Sequence, residues 1–298
     1  MADKNILHMV TPLKNMSPFD VNMAVDAGYD VVIPYTNVTI DEVTGLVQDA
    51  IFSRPPNAGV REAMFFAGKN VSLALDMMEK AKAAMVPPFA MSLFADPAGS
   101  FTTAAAMVAG IDKTLREHKQ CNLKGTKLAV FGATGPLGFS VAVIAALEGA
   151  AVTVVGYDGI KRVTDAAAEI KKRFGVDVFP ADGSDEPRKE AIVAATEAVA
   201  ACGRAGVQIL SKAQLEMAPG LLVAVDANAV PPAGIEGLDA LAKNVQLTSH
   251  GALGIGPLAM GDIKYKTESG LFGQMIAAAA PLQLAVHEAY VLARQING

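Results

Sequence analysis

The chain has 298 residues, 52% of them hydrophobic and only 18% charged, with a formal net charge of -5. That length and composition build a globular protein with a large core, most naturally in two domains. An acidic balance argues against nucleic acid or an anionic membrane as the main partner, and no run reaches the roughly 18–20 apolar residues of a membrane span. Met1-Ala2-Asp3-Lys4 lacks signal-peptide character. Two cysteines, Cys121 and Cys202, and four scattered histidines supply no disulfide framework and no metal-ligand spacing. The expectation is a cytoplasmic protein without a metal.

In chain order, Asn5–Thr11 reads as a strand, and Ser17 caps a helix that starts at Pro18 and ends before Gly28. Asp30–Pro34 is a second strand. Thr39 with Glu42 makes a capping box for the next helix. Glu62–Ala67, a helix over Asn70–Ala84 and a strand over Pro87–Leu93 complete a βαβαβαβ order, which predicts a small parallel sheet covered by helices. The stretch Ala95-Asp96-Pro97-Ala98-Gly99-Ser100 is the expected boundary, and an alanine-rich helix over Thr102–Arg116 follows.

Lys127–Phe131 is then a β-branched and aromatic run ending in Gly132-Ala133-Thr134-Gly135-Pro136-Leu137-Gly138, and a helix-patterned apolar run follows at once. Glycines spaced by three suit a tight turn whose N–H groups approach a ligand closely, and a pyrophosphate is the usual occupant. The next strand, Val152–Val155, leads into Tyr157 and Asp158. That acid lies about 20 residues past the last glycine, where a dinucleotide fold reads the ribose hydroxyls. Lys161 and Arg162 follow and suit a 2′-phosphate, so NAD and NADP are both expected. Further strands are expected at Val176–Phe179, Ala198–Cys202, Leu221–Val225 and Val245–Thr248. The run Gly251-Ala252-Leu253-Gly254-Ile255-Gly256 reads as a second glycine-rich loop, and a last helical stretch over Gly270–Ile296 is interrupted at Pro281.

Ligands of open parallel sheets lie beyond the carboxyl ends of the strands. The candidates there are the Gly132–Gly138 turn, Tyr157-Asp158, Cys202-Gly203-Arg204, Asp226-Ala227-Asn228 and His250-Gly251 in the second half, with Met9–Pro12, Tyr35–Asn37, Gly68-Lys69 and Asp96-Pro97 in the first. The run Asp226–Pro232 suits a loop held against a flat ring, or a plain turn. Thr102 and Thr103 offer hydroxyls to a cleft, or cap a helix. No nucleophile–base pairing, zinc motif or Walker loop is visible. A hydride transfer from a carbon between two nitrogens fits that absence, because the amidinium left behind requires no proton removal.

The runs Ser17-Pro18-Phe19-Asp20, Tyr35–Thr39, Gly99–Ala106, Gly132–Gly138, Asp226–Pro232 and Gly251–Gly256 stand in the order seen in one family. The chain resembles the NAD(P)-dependent methylenetetrahydromethanopterin dehydrogenases of methylotrophic bacteria over essentially its full length. The resemblance implies an α/β protein of two domains with a cleft between them: an N-terminal parallel pterin domain over 1–98, completed by the helix 270–298, and a Rossmann-like NAD(P) domain over 99–269. It implies oxidation of a methylene carbon on a tetrahydromethanopterin carrier during formaldehyde oxidation, by a homo-oligomer.

Asp20 and Lys264 are the implied catalytic residues, with Tyr35, Asn37, Thr102 and Thr103 on the carrier. The implied cofactor set is Gly132, Thr134, Gly135, Pro136, Leu137, Gly138, Tyr157, Asp158, Lys161, Arg162, Cys202, Gly203, Asn228 and Gly251. Two other functions are compatible with the same residues: a methylenetetrahydrofolate dehydrogenase and a non-catalytic NAD(P) sensor. A bifunctional folate enzyme fits less well, since its tyrosine and lysine stand a few residues apart on an early helix. Here Tyr35 lies in a turn, with Lys14 and Lys69 as its nearest lysines.

Overall fold

The computed structural model describes residues 4–298. Met1-Ala2-Asp3, read above for leader character, lies outside the described residues. The chain forms β1 (Ile6–Val10), α1 (Pro18–Asp26), β2 (Val31–Tyr35), α2 (Val43–Phe52), β3 (Glu62–Phe66), α3 (Val71–Ala84), β4 (Ser92–Ala95) and α4 (Ser100–His118). It continues through β5 (Lys127–Phe131), α5 (Pro136–Leu147), β6 (Ala151–Gly156), α6 (Lys161–Phe174), β7 (Phe179–Asp182), α7 (Glu186–Ala194) and β8 (Ala198–Ala201). Last come α8 (Lys212–Glu216), β9 (Val223–Asp226), β10 (Lys243–Gln246), β11 (Leu253–Ile255), α9 (Gly261–Ala277), β12 (Gln283–Leu284) and α10 (Val286–Asn297). Two compact units result, one running to Thr102 and including Tyr265–Leu292, the other Thr103–Lys264 with Ala293–Gly298.

Local chemistry explains where the helices start. The Ser17 hydroxyl accepts from the Asp20 N–H, the Asn70 side chain accepts from Leu73, and Asp185 accepts from Arg188. Each satisfies one of the N–H groups that a first turn leaves unpaired. The Thr39–Glu42 capping box is present too, but its first turn is a 3-10 turn over Ile40–Glu42 before α2 proper.

The first unit is a five-stranded parallel sheet in the order β12-β4-β3-β1-β2. All five positions of β3 are buried, as expected of a strand covered on both faces. Its core is held by Phe272 of α9, whose ring meets Phe65 at 5.4 Å and Phe94 at 5.2 Å between centroids, with Tyr29 edge-on at 6.0 Å. The second unit is a seven-stranded sheet in the order β10-β11-β9-β8-β5-β6-β7, parallel except for β10. The strands are added outward in one sense from β5 to β7 and in the other from β8 to β11, so the order reverses between β5 and β8, the switch point where doubly wound sheets open a ligand crevice.

Several elements differ from expectation. The fourth strand starts at Ser92, because Pro87 and Pro88 have no N–H and the chain turns there, with Phe89 donating to the Val86 carbonyl. Pairing of β7 with β6 starts at Phe179 and runs to Asp182, three residues later than expected; Lys171 holds Asp177 at 2.7 Å in the connector before it. The second glycine-rich loop is in fact β11. A Cβ on Gly254 would lie 2.6 Å from Leu238, and one on Gly256 only 2.2 Å from the Asp239 carbonyl, so these glycines serve close packing. The strand expected at Val245–Thr248 is β10, over Lys243–Gln246 and antiparallel to it. The last helical stretch is two helices separated by β12, which completes the first sheet.

Phe272→Ala removes the ring shared by Phe65, Phe94 and Tyr29 and is expected to cost about 3–5 kcal/mol. Denaturant unfolding at constant slope measures it, and a loss below about 1 kcal/mol would contradict this packing.

Candidate active site

Glycine and backbone geometry shape the switch point of the second sheet. Gly132 ends β5 at φ +84, and a Cβ there would lie 2.4 Å from the Cys202 carbonyl oxygen and 2.9 Å from the Gly203 nitrogen. The turn after β5 and the exit of β8 therefore touch backbone to backbone, which no other residue type permits. Gly135 donates to the Gly132 carbonyl at 3.0 Å and closes the turn, and Pro136 starts α5 where a missing N–H costs nothing. The other first-turn N–H groups of α5 remain available to an anion.

Around this turn lies a pocket of about 670 Å³. The Gly132–Leu137 turn, Tyr157 at the end of β6, Gly183 and Ser184 after β7, Lys189 of α7, and the β8 exit with Cys202, Gly203 and Arg204 line it. No carboxylate among the described residues does. Gly132, Thr134, Gly135, Pro136, Leu137, Tyr157, Cys202 and Gly203 are thus brought together as expected from their positions after strands.

Gly138, Asp158, Lys161, Arg162, Asn228 and Gly251 do not line the pocket. Gly138 sits behind the turn, where a Cβ would meet the Gly132 oxygen at 2.5 Å and the Ala133 Cα at 2.8 Å, so it packs helix against turn. Lys161 is 88% exposed and pairs with Asp165 at 3.3 Å. Arg162 bonds Asp158 at 2.9 Å and the Tyr157 hydroxyl at 3.2 Å, with its guanidinium 5.8 Å from the centre of that ring. These bonds, the Asp158 one first, raise the Arg162 pKa. Gly251 lies in the turn before β11, and its carbonyl accepts from Lys119.

Asn228 is buried, and its polar atoms bond its own loop and the β8 exit. Its Oδ1 accepts from the Gly206 and Val230 N–H groups at 3.1 and 2.9 Å, and its Nδ2 donates to the Pro232 carbonyl at 2.7 Å. Asp226, fully buried, accepts from the Asn228 and Ile235 N–H groups. Burial raises its pKa, and those backbone donors oppose the rise. Burial, then the Asp226 charge, pushes the neighbouring Cys202 thiol far above its ordinary value, so it stays protonated.

Of the remaining candidates, Asp20, Tyr35, Asn37 and Thr102 stand at or after the carboxyl ends of β1, β2 and β4 in the first unit, whereas Thr103 and Lys264 fall in the second. Asp20 is buried in the first turn of α1, directly after the loop leaving β1. Tyr35 closes β2, its hydroxyl 3.1 Å from the Nδ1 of His8, and burial raises its pKa. Asn37 takes φ 56, a left-handed conformation tolerated best by asparagine among non-glycine residues. Thr102 is fully buried and its hydroxyl bonds the Asp96 carboxylate at 2.6 Å, so it locks the start of α4 and offers no hydroxyl outward. The same carboxylate accepts from the Phe101 N–H at 2.7 Å, across a turn in which Ala98 holds φ 57. Such a strained alanine costs on the order of 1 kcal/mol and is typical of ligand-shaping turns. Thr103 beside it is half-buried, and Lys264 stands half-buried in the first turn of α9. Sequence reasoning did not select Gly183, Ser184 or Lys189, and it placed Arg204 among the residues after a strand without giving it a role. The first three follow β7, whose pairing runs three residues later than the sequence suggests.

A family model described as methylene-tetrahydromethanopterin dehydrogenase, N-terminal, matches residues 18–98. The chain is 50% identical over 295 residues to an NAD(P)-dependent methylenetetrahydromethanopterin dehydrogenase of Methylorubrum extorquens, covering 99% of each. Among solved structures it is similar to a quinate dehydrogenase from Corynebacterium glutamicum in complex with NAD, at 13% identity and a TM-score of 0.57 over 97% of this chain and 98% of that one. A shikimate 5-dehydrogenase from Listeria monocytogenes in complex with shikimate and NAD is similar at 12% identity and a TM-score of 0.54, over 93% of each. These two likenesses bear on the fold alone.

Gly138→Ala forces a Cβ onto the Gly132 backbone and displaces the turn. Titration calorimetry with NAD is expected to show roughly tenfold or greater loss of affinity, with overpacking costing about 1–3 kcal/mol of stability. A folded variant with unchanged affinity would contradict this role.

Proposed function

The chain belongs to the methylene-tetrahydromethanopterin dehydrogenase family, and on that premise we infer an oxidoreductase that moves a hydride from methylenetetrahydromethanopterin to NAD(P)+, leaving the methenyl carrier. The observation that carries this reading is 50% identity to a dehydrogenase of that name across 99% of both chains, a span that includes the glycine turn and every residue of its pocket.

The pocket fits a dinucleotide. Gly132 leaves a turn without side chains, the start of α5 offers N–H groups to a pyrophosphate, and the absence of a lining carboxylate spares the phosphates repulsion. When bound, the nicotinamide accepts two electrons and the hydrogen as hydride at its ring carbon. The protein's part is to hold and orient. The C–H bond breaks toward the cofactor, the two nitrogens flanking the carbon delocalise the positive charge, and no side chain has to take a proton. The Asp226–Asn228 network keeps the β9 exit loop rigid beside the β8 exit, through the bond from Gly206 to Asn228. Asp20, Tyr35, Asn37 and Thr103 bind the carrier, Asp20 and Lys264 serve the reacting end, and Thr102 fixes the turn that precedes Thr103.

Both cofactors are used. The Asp158–Arg162 pair holds opposite charges side by side: the carboxylate suits the ribose hydroxyls of NAD, and the guanidinium suits a 2′-phosphate. The enzyme works in the cytoplasm on one-carbon units derived from formaldehyde. It is a homo-oligomer, a reading supported by the low share of charged residues, 18%, in so long a chain.

The test is reduction of NAD+ and NADP+ with methylenetetrahydromethanopterin and, separately, methylenetetrahydrofolate. Turnover of the methanopterin carrier with both cofactors is expected, with kcat/KM values within about 1000-fold of each other. Asp20→Asn is expected to lower kcat/KM for the carrier by roughly tenfold, the loss of one charged hydrogen bond, without changing NAD affinity. Cofactor binding with no turnover of either carrier would make the protein a sensor, and turnover of the folate carrier alone would overturn the assignment.

A further inference from the structure

Two cations line the dinucleotide pocket, Lys189 and Arg204, and they differ in what already holds them. Lys189 is committed: its ammonium pairs with Glu186 and donates to the Ile209 carbonyl at 3.4 Å. Arg204 is exposed, and its guanidinium has neither hydrogen bond nor ion pair among the described residues. The backbone beneath it, by contrast, is fixed. Its own carbonyl accepts from the Val207 N–H at 3.2 Å, and the Gly206 N–H, at φ +74, is held by Asn228 at 3.1 Å. Two residues before it, the Cys202 carbonyl lies against Gly132, the first glycine of the turn. A rigid loop therefore carries one unspent guanidinium to the rim of a pocket without a carboxylate, beside the turn whose N–H groups suit a pyrophosphate.

We propose that Arg204 pairs with the pyrophosphate of the bound dinucleotide and supplies the positive charge that the glycine turn lacks. The inference rests on the dinucleotide reading of this pocket and adds a residue to it. Position separates this role from that of Arg162, which stands at the β6 end in its pair with Asp158, where a 2′-phosphate would lie. A guanidinium is suited to the task, since its planar fork meets two phosphate oxygens at once. Because the pyrophosphate is common to NAD and NADP, Arg204 raises the affinity for both and does not set the choice between them. Its side chain is exposed and unpartnered, so replacement leaves the fold intact.

Titration calorimetry on the full chain, wild type against Arg204→Gln and Arg204→Lys, decides the matter with four probes: NAD, NADP, ADP-ribose and adenosine. For Arg204→Gln the expected result is a loss of roughly tenfold or more for NAD, NADP and ADP-ribose by a common factor, and no change for adenosine, which has no phosphate. The salt dependence of NAD binding should flatten, and Arg204→Lys should recover part of the loss. Unchanged NAD affinity in Arg204→Gln would overturn the proposal, as would a loss confined to NADP, which would place the guanidinium at the 2′-phosphate. Wild-type protein that binds none of the three phosphate-bearing probes would overturn the dinucleotide reading itself, a failure distinct from that of Arg204.

Discussion

The structure depends on a contact that leaves no room for a side chain: the Gly132 Cα against the carbonyl of Cys202. With 2.4 Å between a hypothetical Cβ and that oxygen, any other residue would push β5 and β8 apart at their carboxyl ends. Those two strands flank the switch point, so the crevice for the dinucleotide exists because they meet as bare backbone. Gly138 repeats the constraint from the other side, since a Cβ on it would lie 2.5 Å from the Gly132 carbonyl oxygen. Turn, helix start and β8 exit form one rigid corner, and the N–H groups of that corner are already aligned before a ligand arrives.

Charge in the second unit is arranged by the same economy. Most ionic groups near the pocket are spent on one another: Asp158 on Arg162, Lys161 on Asp165, Lys189 on Glu186. Buried polar groups are spent on backbone, as in the Asp226 and Asn228 loop. An exposed ion pair contributes little to stability, so the Asp158–Arg162 pair does not hold the fold together. Its use is to keep both charges at a place where cofactors differ by one phosphate. Against that background the unspent guanidinium of Arg204 stands out as a group kept for a ligand.

Much of this was legible in the amino-acid order. The β5–α5–β6 unit is announced by a β-branched run, glycines at a spacing of three and a proline at the helix start, and each of those signals has a local cause. The β1 to α3 pattern is legible for the same reason, through caps at Ser17, Thr39 and Asn70. What was not legible depends on partners distant in sequence. Gly254 and Gly256 look like loop glycines, but Leu238 requires the one inside β11 and the Asp239–Ala240 backbone the one directly after it. The strand β12 is two residues long, and only its pairing with Leu93 and Phe94 defines it. Asn228 has the appearance of a ligand contact until its three hydrogen bonds are traced. Lys161 and Lys189 are both lysines at the start of a helix, and only the fold shows which one reaches the pocket.

The chain binds and orients carrier and cofactor while the carbon–hydrogen bond moves as hydride. Carrier labelled with deuterium at its methylene carbon tests that directly, with mass spectrometry of the reduced cofactor after turnover in ordinary water. Label is expected in the reduced nicotinamide ring, transferred to one face of it, with none released to solvent. Label appearing in water, or reduced cofactor free of deuterium when the transferred position carried it, would mean that a protein base removes a proton and would contradict the mechanism.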